Sequence, residues 1–130
     1  MSQRFVQNPW LTDVLTTANA TPTVSVATSF TPPSGVTGYV EMLAQGRNTA
    51  TNVGGTAKVG RTFQTPGGVL ALTGSLIVLV GGALGVLVGD ATIVAALANF
   101  ASATGIIQPQ VTGIAATNIE WLLDVRYWID

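Results

Sequence analysis

The chain has 130 residues and a net charge of −1, with neither cysteine nor histidine, and only 8% of its residues are charged, against about 25% in an ordinary soluble domain. That inventory excludes disulfides, thiol nucleophiles, His-dependent triads and the usual zinc sites, and it leaves no electrostatic footprint for nucleic acid or an anionic membrane. The length suits one domain with a real core, and so few charges favour association with copies of itself or with a larger body.

Residues 1–12, MSQRFVQNPWLT, show no sustained period and read as an extended N-terminal arm preceding a domain over 13–130. Phe5, Trp10 and Leu11 make the arm apolar, so it either folds back on its own domain or reaches a neighbouring subunit as a contact element. Arg4 is followed by no apolar run and no small-residue cleavage site, so a signal peptide is not expected.

From Thr23 the period becomes two. Val24, Val26 and Phe30 alternate with Ser25 and Ser29, predicting a strand that Pro32-Pro33 stops. Tyr39–Ala44 predicts the next strand, followed by polar Arg47-Asn48-Thr49 and turn residues Thr51 to Gly55. Ala57, Val59, Arg61 and Phe63 then share one face, up to a turn at Pro66-Gly67-Gly68. Val69–Thr73 and Leu76–Val80 read as two further strands ending at Gly81-Gly82, and Ala83–Val88 as a strand or an irregular insert.

Ala91–Phe100 is open to either a strand or a helix capped by Asp90, and its strand-like neighbours favour the strand. Ile106–Thr112 carries Pro109, which places it towards a sheet edge. The last segment is the clearest. Ile119, Trp121, Leu123, Val125, Tyr127 and Ile129 fall on one face, and Glu120, Leu122, Asp124, Arg126 and Trp128 on the other. Short strands between turn signals predict an all-β fold, an antiparallel β-sandwich or jelly-roll-like single domain.

No charge occurs between Arg61 and Asp90, and Val69–Val88 is long enough to cross a bilayer. Gly74, Gly81, Gly82 and Gly85 break it, Gly89 follows it, and no basic or aromatic flank anchors it, so buried strands joined by turns are expected instead, and no membrane partner.

No catalytic, cofactor or metal residues are expected. Glu120 and Asp124 share a strand face but stand about 13 Å apart, too far for a glycosidase pair. Asp90 reads as a turn residue, and Gly81-Gly82-Ala83-Leu84-Gly85 lacks the Lys-Ser/Thr of a phosphate loop. Trp121 belongs to the core face, whereas Trp128, on the mixed face, is a candidate contact residue.

An ordered set of elements runs through the chain: Ala20-Thr21-Pro22-Thr23, Gly46-Arg47-Asn48-Thr49, Lys58 to Phe63, Gly67-Gly68, Val111-Thr112-Gly113, and Ile119-Glu120-Trp121 leading to Val125-Arg126. This set resembles a β-sandwich module of tailed-bacteriophage virion proteins, tail fibres and capsid decoration proteins among them, over about residues 16–129. The resemblance implies a structural virion component without catalytic residues or cofactors. A tail fibre needs length and a trimeric shaft, so the expectation within the family is a capsid decoration (cement) protein. It would sit on the outer capsid surface, bind the major capsid protein and form a homo-oligomer, with a trimer favoured.

A short tail-fibre, tail-tip or head-spike component is the alternative, and a carbohydrate-binding module using Trp128 is a third class. The chain departs from the pattern between Leu70 and Ala98, where it is unusually apolar. That stretch supplies the further candidate contacts Leu76, Val78, Leu84 and Val86.

Overall fold

The computed structural model describes residues 6–7, as backbone, and 10–130. Its strands are β1 (Val6–Gln7), β2 (Leu11–Thr17), β3 (Pro22–Val24), β4 (Thr37–Asn48), β5 (Val53–Gln64), β6 (Ala71–Val80), β7 (Val88–Gly89), β8 (Leu97–Ala103), β9 (Ile106–Thr112) and β10 (Ile119–Ile129). Strands β2, β10, β4, β5 and β6 form the larger sheet in that spatial order, with β1 continuing β2 alongside β10 and β7 continuing β6 alongside β5. A second sheet has the order β3-β9-β8, and every strand pairing among the described residues is antiparallel. The expected all-β antiparallel sandwich is therefore what the chain forms.

The core lies between the two sheets. Trp121, Leu123 and Val125 of β10 align with Gly46, Ala44 and Met42 of β4, and Ala44 and Met42 with Ala57 and Val59 of β5. Ala98 and Phe100 of β8 and Ile107 and Val111 of β9 close over them, all buried. Period-two alternation puts each of these side chains on the same side of its strand. Gly46 leaves room for Trp121, since a Cβ there would stand a tight 3.2 Å from the indole ring. The indole Nε1 donates to Thr17 Oγ1 at 2.9 Å, so a fully buried Trp121 has its polar atom satisfied.

Several expectations need correction. The segment after Thr23 is a strand only to Val24, and its parity is reversed: Ser25 is buried and Val26 is 81% exposed. Hydroxyls turn the chain there, since Thr28 Oγ1 donates to Ser25 Oγ at 2.6 Å and Ser29 Oγ to Ser25 O at 2.8 Å. The two strands expected over 69–80 are one strand, β6, with an irregularity around Gly74, whose φ of 65° suits glycine.

Ala91–Phe100 is a strand only from Leu97; before that, successive turns run from Asp90 to Ala96, closed by Ile93 N to Asp90 O and Ala96 N to Ile93 O at 3.0 Å each. Asp90 is the turn residue expected, accepting from the Thr92 backbone N–H at 2.8 Å and from the Thr92 hydroxyl. Those bonds hold its carboxyl below the ordinary carboxylate range. Pro109 is not at an edge but in the middle strand of the smaller sheet.

Candidate interaction surface

One face of the larger sheet is covered by the smaller sheet; the other is lined by side chains alone. On that outer face β10 presents Glu120, Leu122, Asp124, Arg126 and Trp128, aligned with Arg47, Gln45, Leu43, Glu41 and Tyr39 of β4. Lys58 and Thr56 of β5 and Val80 and Val88 of β6 and β7 continue two of these rows. An antiparallel sheet with one packed and one open face ordinarily shows polar residues on the open side. Here it shows Trp10, Val14, Leu122, Ile77, Val80 and Val88, all exposed.

The centre of this face is tied together by charge and ring contacts. The Arg126 guanidinium lies between two indoles, 4.3 Å from the Trp10 ring centre and 4.9 Å from that of Trp128. Trp128 in turn stacks on Tyr39 with ring centres 5.7 Å apart. The register of β10's partner changes by one residue between β2 (Leu11 opposite Val125) and β1 (Gln7 opposite Trp128), in the segment that holds Trp10.

Glu41 is the buried acid of the face, and it is shared by two cations: Lys58 Nζ at 3.6 Å and Arg126 Nε at 3.4 Å. The Arg126 contact is an ion pair only, since that Nε makes no hydrogen bond. Burial raises the Tyr39 phenol above its ordinary value, and the neighbouring Glu41 carboxylate adds to the shift while Arg126 opposes it. Two shallow cavities of about 330 and 350 Å³ flank this centre, one beside Tyr39, Thr62, Gln64 and Trp128, the other beside Val14, Arg47, Glu120 and Leu122. Arg47 spans the second by pairing with Glu120 at 2.9 Å.

The expected contact residues are dispersed. Trp10 and Trp128 meet on the outer face through Arg126, whereas Phe5 lies outside the described residues. Leu11 is half-buried against the core at the β2 edge. Leu76 and Val78 also lean inward and pack on the core, so the exposed apolar residues of β6 are Ile77, Leu79 and Val80 instead. The reason is register. Val78 aligns with buried Val59, Ile77 with Gly60, and Leu79 is an extra residue at a bulge between Val78 and Val80. Leu84 is 78% exposed, and Val86 is half-buried in a bridge to Leu97. Glu41 and Tyr39 were not singled out from the sequence, although their spacing from Arg126 follows once β4 and β10 are paired.

Among the described residues no group of three or more His, Cys, Asp or Glu side chains is placed to hold a metal ion, and no helix is long and apolar enough to cross a membrane. No protein-family model and no curated protein sequence matches the chain. Among solved structures it is similar to the tailspike protein of Acinetobacter baumannii bacteriophage Fri1, a capsular polysaccharide depolymerase, with 12% identity and a TM-score of 0.43. That alignment covers 90% of this chain and 17% of the tailspike. The tailspike protein of Acinetobacter baumannii phage AM24 aligns at 15% identity and a TM-score of 0.38, over 92% of this chain and 26% of the other. Likeness of this degree carries no weight for what the chain does, and this chain spans only a small part of either tailspike.

Proposed function

We propose that the chain is a non-enzymatic structural protein of a tailed-bacteriophage virion, and within that class a capsid decoration (cement) protein bound to the outside of the major capsid shell. The observation that carries this reading is the uncovered outer face of the larger sheet, where Trp10, Val14 and Leu122 are exposed beside two sets of paired charges, Arg47 with Glu120 and Glu41 with Lys58 and Arg126. Docking there leaves the buried Glu41 with Lys58 and Arg126 as partners. The ordered sequence elements that resemble phage virion modules support the same class.

The mechanism is additive. Apolar area buried at about 25 cal/mol per Å² in each copy is repeated across a shell and ties neighbouring capsid subunits together. Self-association of the chain is part of the proposal. The second reading, a short tail-fibre, tail-tip or head-spike component, draws on the same resemblance.

Imaging of particles made with and without the protein separates them. Loss of regularly spaced knobs over the capsid supports decoration, and loss of a single tail or vertex structure replaces it with the second reading. Particles unchanged in both respects would remove the virion proposal altogether.

A further inference from the structure

The two edges of the larger sheet are protected differently. At the β2 edge, Asp13 aligns with Leu123 and so points to the core side, where its Oδ2 accepts from Ser25 Oγ at 2.7 Å. An inward charge of this kind stops an edge from adding further strands, since a partner would have to bury it. The β6 edge has bulges but no charge, and none occurs anywhere between Arg61 and Asp90. Among the described residues, β6 pairs with β5 alone, so the backbone groups of its far side have no strand partner.

The side chains of this flank are apolar and outward. Ile77 is 42% exposed, Leu79 46%, Val80 49% and Val88 56%. The turn after β6 adds Leu84, at 78% exposure and in the left-handed region with φ 58°. A bulky side chain is disfavoured in that conformation and gains nothing from it in water. The turn is nevertheless held by Gly82 N to Val86 O at 2.9 Å and Val86 N to Ala83 O at 3.2 Å. Strain that presents an apolar side chain to solvent points to a contact made elsewhere.

We infer that the flank formed by β6, β7 and Leu84 seats a second copy of this chain. Covering its five exposed side chains removes on the order of 300–400 Å² of apolar surface per copy, roughly two-thirds to three-quarters of the apolar share (about 450–520 Å²) of the roughly 800 Å² that each partner buries in a stable specific interface. A second copy brings an equally apolar strip, and the charges that border it are already engaged, Lys58 beside Val80 with Glu41 and Asp90 after β7 with Thr92, so neither a nucleic acid nor an acidic or basic peptide finds a free counter-charge among them. The inference rests on the self-association within the proposed function and is independent of where in a virion the protein sits.

Sedimentation of the full chain tests it. The wild type is expected as a closed oligomer, and Ile77→Lys with Leu79→Lys as a folded monomer, its dissociation constant raised at least about 100-fold. Leu84→Gly, which relieves the backbone, weakens assembly about tenfold while the domain stays folded. Leu122→Lys, across the outer face, leaves the oligomer intact. A wild type that is monomeric at about 100 μM overturns both the inference and self-association. An oligomer that survives the double lysine variant overturns the flank assignment alone. If that variant loses its circular dichroism, Leu79→Cys supplies the only thiol in the chain: cross-linking between copies by a short bismaleimide supports the inference, and its failure on an oligomeric sample refutes it.

Discussion

Ser25 and Pro109 face each other across the smaller sheet as one half of a hydrogen-bonded pair. Ser25 N donates to Pro109 O at 2.9 Å, and the return bond is missing because proline has no N–H. The Ser25 carbonyl is satisfied instead by Ser29 Oγ at 2.8 Å, from the turn that ends β3. A proline is thereby accommodated in a central strand: the donor it lacks faces the one position where the neighbouring strand stops and a hydroxyl takes over.

Ser29→Ala therefore leaves a carbonyl of the buried Ser25 short of its best donor. The expected cost is about 1–3 kcal/mol of stability, read from urea unfolding, with little change in the slope of the transition. No loss of stability would mean that the Thr28 hydroxyl, which also approaches this carbonyl at 3.4 Å, is enough.

Trp121→Ala removes the largest fully buried side chain, and with it the partner of the Thr17 hydroxyl. A loss of about 3–5 kcal/mol is expected, because Gly46 beneath the indole has no side chain with which to fill the space. Thr17→Val isolates the hydrogen bond and is expected to cost about 1–2 kcal/mol.

Arg126→Ala separates Trp10 from Trp128 and leaves Glu41 with Lys58 as its one remaining ion-pair partner. Since Glu41 is buried, about 1–3 kcal/mol of stability is expected to go. The Trp10 and Trp128 fluorescence changes while the signal of Trp121 does not. A double-mutant cycle with Glu41→Gln divides this loss between the ion pair and the ring stacking.

Both tyrosines in the chain are raised above their ordinary value of 10.0, Tyr39 by burial and by the Glu41 carboxylate, Tyr127 by burial. The folded state thus holds the phenolic protons more tightly than the unfolded state. The associated stability is complete below pH 10 and is lost as pH rises through the folded-state values. Tyrosinate absorbance is expected to titrate above pH 10 in the native protein and near 10 in urea. Tyr39→Phe flattens the alkaline fall in stability, and an unchanged fall would remove Tyr39 from the account.

Much of the fold was already present in local pattern. Alternation alone delimits β10 at Ile119–Ile129 and assigns Trp121 to the core and Trp128 to the open face. It does so because a strand's side-chain period is independent of its neighbours. Turn chemistry at Pro66-Gly67-Gly68, Gly81-Gly82 and Asp90 is equally local. The absence of histidine and cysteine needs no structure to limit the chemistry.

Pairing is not local, and it governed the rest. Pro109 reads as an edge residue until Ser25 and Ser29 are placed opposite it. Leu76 and Val78 read as contacts until a bulge against β5 turns them inward and leaves Ile77, Leu79 and Val80 outside. Likewise Trp10, Arg126, Trp128 and Glu41 come from three segments, and only the alignment of β2, β10 and β4 brings them to one surface. Composition determined that this chain has apolar surface to cover; the register of its strands decided which side chains present it, because a shift of one residue exchanges the two faces of a sheet.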